Sequence, residues 1–74
     1  MYKAKNGIIL INPETPNGWT IKSDDDILTY LTGLPYFASV YSTFIAEAIE
    51  GAAEMQQTYN NIDELAAYIA ENYI

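Results

Sequence analysis

The 74-residue sequence has no cysteine, no histidine and no arginine, and only three lysines. Each absence removes a class of chemistry. Without cysteine there is no disulfide, and without cysteine or histidine the usual zinc sets cannot be assembled. The same two absences take away the commonest general base and the thiol nucleophile. Ser23, Ser39 and Ser42 are left with no evident base to activate them, and no GxxxxGK[ST] or GxGxxG segment occurs to cradle a phosphate. A pair of carboxylates could do glycosidase work, but so short a chain offers little cleft to hold a sugar. The expectation is a protein that is not an enzyme and uses no cofactor and no metal.

The scarcity of cations is as informative. Ten acidic residues face three lysines, giving a net charge of −7. A nucleic-acid binder needs cations to displace counterions from phosphate, and three lysines make no basic stripe. Direct binding of DNA or RNA is therefore not expected, and neither is binding to an anionic membrane. The complementary partner of an acidic domain is a protein with a basic surface; the same charge also serves solubility. The apolar run Ile8–Ile11 is too short for a signal core or a membrane span. With the missing cysteines, this gives an expectation of a cytoplasmic location.

What is present suffices for one domain, residues 1–74. A chain of this size buries only about 60% of the surface it exposes when unfolded, but half its residues are hydrophobic. The first third alternates and turns like strands. Asn6-Gly7 is a two-residue hairpin signal between strands near Tyr2–Lys5 and Ile8–Asn12. Pro13–Gly18 reads as a loop, and Trp19–Lys22, alternating apolar and polar, as a third, half-buried strand. Ser23 is a helix N-cap, Asp24, Asp25 and Asp26 suit the first turn, and Gly33 with Pro35 ends the helix. A long second helix is expected over about residues 35–59. Its apolar side runs through Phe37, Val40, Tyr41, Phe44, Ile45, Ala48, Ile49, Ala52 and Met55. Asn61 with Glu64 resembles a capping box for a third helix, whose inner face carries Ile62, Leu65, Ala66, Ile69 and Tyr73. The fold expected is α+β: an N-terminal antiparallel β-meander of two or three strands, followed by three helices with the long one at the centre.

The candidate functional residues are acidic. Glu47, Glu50 and Glu54 recur at spacings of three and four, so they stack on one helix face about 5–6 Å apart and repel one another. No lysine in that helix relieves them, since all three lysines stand at or before residue 22. Such a row offers phosphate-like charge to a nucleic-acid-binding site; its plainer reading is a solvated face. Glu64, Tyr68 and Glu71 fall on the polar side of the last helix, where Tyr68 would be an exposed anchor among acids. Asp24, Asp25 and Asp26 make a secondary patch. Three consecutive acids lack the alternate spacing of a calcium loop, so capping is the better account of them. Ala48, Gly51 and Ala52 form a small-residue patch where a second copy could approach closely in a homodimer.

In general style (short, acidic, without cysteine or a catalytic set) the chain resembles the small inhibitors that phages carry against host nucleic-acid-handling enzymes, such as anti-CRISPR and other anti-defence proteins. The likeness is one of type, not of a shared motif. It implies a protein-binding inhibitor that blocks a basic nucleic-acid-binding surface. The alternative is a structural domain that self-associates through the long helix.

Overall fold

The computed structural model describes residues 1–74. A hairpin opens the chain, with strand β1 (Tyr2–Lys3) antiparallel to β2 (Ile9–Leu10). The loop between them is not the two-residue turn that Asn6-Gly7 suggests. Only Gly7 has positive φ, at +102°. Gly7 N–H donates to the Ala4 carbonyl (3.1 Å) and Ala4 N–H to the Ile8 carbonyl (2.7 Å), which makes a three-residue loop closed by the glycine. Thr15–Trp19 repeats the device, with Gly18 N–H on the Thr15 carbonyl (2.9 Å) and Thr15 N–H on the Trp19 carbonyl (2.8 Å).

The sheet corrects the expected meander. Trp19–Lys22 contributes only an isolated bridge, Glu14 to Thr20. The third strand is β3 (Thr58–Tyr59), which pairs parallel to β2, so the order is β1-β2-β3 in a mixed sheet. Ile9 N–H donates to the Gln57 carbonyl (2.6 Å) and Ile11 N–H to the Tyr59 carbonyl (2.9 Å). The α+β class stands.

Helix α1 (Asp24–Thr32) begins where its sequence says it should. The Ser23 hydroxyl accepts from Asp26 N–H (3.2 Å), and the Asp26 carboxylate accepts from Ser23 N–H (3.1 Å), a complete capping box. The helix stops because Pro35 forces Leu34 into an extended conformation, with φ −75° and ψ 136°. The expected long helix is broken in two. A 3₁₀ turn, Pro35–Phe37, is followed by a bend, and α2 runs Ser42–Met55. An unbroken helix would set Phe37 about 80° round from Ile45, the middle of the buried face. The break lets Phe37 turn into the core instead, where it is 1% exposed.

At its other end α2 stops at Met55 rather than Tyr59. Burying the Tyr59 ring and pairing its backbone with β2 outweighs about one more turn of helix. Tyr59 is 1% exposed and its hydroxyl donates to the Ala52 carbonyl (3.3 Å). Burial pushes that hydroxyl up to about 12, with Tyr68, Tyr73 and Glu64 adding to the shift. The buried face of α2 is Ile45, Ala48, Ile49, Ala52 and Ala53. Phe44 and Met55, expected in the apolar stripe, are exposed on its flank, and Tyr41, expected there too, is exposed at its N-cap. Helix α3 (Ile62–Tyr73) docks as expected, with Ile62, Leu65, Ala66 and Ile69 buried and Tyr73 half-buried. No helix is long and apolar enough to cross a membrane.

Candidate functional site

The acidic residues divide according to what the fold does with them. Asp24 and Asp26 are employed. Asp24 accepts the Tyr2 hydroxyl and the Lys5 N–H (3.2 and 3.1 Å), tying the β1–β2 loop to the start of α1. Burial, then the Asp24 hydrogen bond and charge, push the Tyr2 hydroxyl up to about 12. Asp26 accepts from Lys22 N–H (2.8 Å) as well as Ser23 N–H. Asp25, between them, is exposed. All three lysines, Lys3, Lys5 and Lys22, line one depression beside Asp24 and Asp25. The cations of the chain are thus concentrated at this end of α1.

Glu47, Glu50 and Glu54 are different. All three are exposed. At about 100° per residue they stand opposite the centre of the buried face of α2. Their side chains enter no hydrogen bond that holds the fold, and no lysine lies in their helix. A shallow groove lined by Asp24, Asp25, Leu28, Ile49 and Glu50 joins this row to the first turn of α1. Folding therefore brings Asp25 and Glu50 to one groove, with the depression that holds the three lysines also bordered by Asp25.

The residues on α3 do not behave as one patch. Glu64 accepts from the Asn60 amide (3.0 Å) while its N–H donates to Asn61 Oδ1 (2.9 Å), so it belongs to the helix cap. The capping box is incomplete, because the Glu64 carboxylate meets Asn60 rather than the Asn61 backbone. Tyr68, expected to stand exposed, is half-buried against the core. Its ring lies edge-on to Tyr59 at 6.1 Å and near Tyr73 at 6.4 Å. The expectation missed because it took Tyr59 for the end of a helix; as part of β3, Tyr59 lies within reach of Tyr68. Glu71 is exposed and lines a separate, largely apolar pocket with Asp63.

The small-residue patch is filled from within the chain. Ala48 and Ala52 are 2% and 0% exposed, and a Cβ at Gly51 would stand 2.5 Å from the Tyr73 hydroxyl. The close approach that these residues permit is made by α3 of the same chain. Sequence reasoning passed over Tyr36 and Tyr41, which are 76% and 83% exposed. Tyr36 lies in the 3₁₀ turn and Tyr41 at the N-cap of α2; the sequence pattern places Tyr41 on the apolar side of an unbroken helix. No cluster of three or more acidic side chains is arranged to hold a metal ion.

No family model matches the chain, and no curated protein or solved structure is significantly similar to it.

Proposed function

We propose that this domain is a protein-binding module whose working surface is the acidic face of α2, Glu47, Glu50 and Glu54, extended by Asp25. The observation that carries the reading is the idleness of these carboxylates. They repel one another at helical spacing, and the fold uses none of them. A basic partner would supply the counter-charge, with Lys or Arg side chains on the row. The most specific form is an inhibitor that occupies a basic, nucleic-acid-binding surface of another protein, in the manner of phage anti-defence proteins.

The test is competitive. A basic protein captured by the wild-type domain should lose its nucleic acid as the domain is added, and the effect should weaken with rising salt. The Glu47→Gln, Glu50→Gln, Glu54→Gln triple variant should neither bind nor displace. Undiminished displacement by that variant across a salt series would remove the reading.

A second reading is self-association along α2. It is favoured by Phe44 and Met55, apolar side chains 41% and 74% exposed on one flank of the helix. This flank, and not the filled small-residue patch, would be the contact between copies. Light scattering decides it: two chain masses that fall to one in Phe44→Ser would support pairing, and one mass at all concentrations would end it.

A further inference from the structure

A pocket of about 300 Å³ opens between α3 and the 3₁₀ turn. Its walls are apolar, made by Leu34, Phe37, Ala66 and Ala67, with Tyr36 beside them. Its two acidic residues, Asp63 and Glu71, stand about 12 Å apart along the axis of α3. Asp63 is fixed in place, since Tyr30 donates its hydroxyl to one carboxylate oxygen at 2.9 Å. No cation of this chain lines the pocket; its three lysines line the depression beside Asp24. The volume lies at the bottom of the range for ligand sites, which suits one side chain better than a cofactor. Apolar walls with carboxylates suit a group that has a long apolar stem and a cationic head.

We infer that this pocket receives an arginine side chain of a basic partner protein. The methylene stem lies over Leu34 and Ala67, the apolar lining residues that are not buried in the core. The guanidinium reaches Glu71, whose carboxylate is free of the hydrogen bond that occupies Asp63, and the exposed Tyr36 ring offers it a face. Arginine fits better than lysine because its planar, weakly hydrated head both stacks and pairs with carboxylates. The inference takes the sign of the partner's charge from the reading above and adds a second, side-chain-sized anchor away from the α2 row.

The experiment is an amide NMR titration of the full chain with a blocked Gly-Arg-Gly peptide, alongside the same peptide carrying citrulline or norleucine in place of arginine. The arginine peptide should shift the amides of Leu34, Tyr36, Phe37 and residues 63–71. Citrulline, which keeps the shape and loses the charge, should bind about tenfold more weakly or worse. Norleucine should also bind more weakly. Glu71→Gln should weaken the arginine peptide several-fold, and Ala67→Phe, at an exposed position, should fill the pocket and abolish the shifts. Equal binding of all three peptides, or no shift at any millimolar concentration, overturns the inference. Shifts confined to residues 47–54 overturn it too, while leaving the α2 reading standing. Concentration-dependent shifts of the pocket amides without peptide would place a second copy there, and would likewise overturn it.

Discussion

Asp24 and Asp26 on one side, and Glu47, Glu50 and Glu54 on the other, are the same chemistry put to different use. The aspartates are consumed by the fold. Each accepts backbone N–H groups, and Asp24 also anchors the Tyr2 hydroxyl. The glutamates are left over, exposed and at repulsive spacing. An acidic residue with partners inside the chain explains itself; a row of them without partners needs an explanation outside it. What matters is where the carboxylate stands, and that comparison can be broken or sharpened by moving or removing one carboxylate at a time.

The largest effect should come from placing a carboxylate on the wrong side of α2. Ala52 is fully buried and close to the Tyr59 hydroxyl. Ala52→Glu buries an unpaired charge at a cost of about 3–5 kcal/mol or more, enough to unfold a domain of this size, as circular dichroism would show. A folded Ala52→Glu protein would mean that this face is open. Next comes Asp24→Ala, which orphans the Tyr2 hydroxyl and the Lys5 N–H and should cost about 1–3 kcal/mol in urea denaturation.

Burial of the Tyr2 hydroxyl, with this contact second, sets an alkaline limit. The Tyr2 hydroxyl is raised from 10 to about 12. A group that holds its proton more tightly when folded contributes stability that is complete below pH 10 and is lost as pH rises towards 12. Tyr2→Phe should flatten that loss, leaving the parts due to Tyr59 and Tyr30, whose hydroxyls are also raised by burial, and a pH titration of melting temperature would show it. Asp26→Ala removes half of the capping box and should cost about 1 kcal/mol. The smallest effect, and of opposite sign, is expected of the α2 triple Gln variant: a gain well under about 1 kcal/mol from relieved repulsion. If that variant were instead destabilised, the glutamates would be employed by the fold after all, and the contrast with the aspartates would fail.

Legibility followed locality. Ser23, Asp26, Leu34 and Pro35 fix the ends of α1 through contacts within a few residues, so α1 could be read from its own sequence. The inner face of α3 was equally legible, because its period is sustained over three turns. Thr58 and Tyr59 were not legible. A two-residue strand is too short to show a period of two, and its partners are Ile9 and Leu10, far away in sequence. Trp19–Lys22 erred the other way, since alternation alone cannot tell a strand from a segment that makes one bridge. At the candidate site, the exposure of the α2 acids could be read from helical spacing, and the proximity of Asp25 to Glu50 could not, because it depends on how α1 and α2 cross.

The parallel pairing of β2 with β3 also sets a timetable. Most of the chain lies between Ile9 and Thr58, so that seam closes a long loop, and the entropy of closure is lost before the contact repays it. The hairpin and the three helices can form from near neighbours, whereas the seam must wait for α1 and α2 to bring its two edges together. The N–H groups of Ile9 and Ile11, which donate across it, should gain protection from hydrogen exchange late in refolding, after the helical amides.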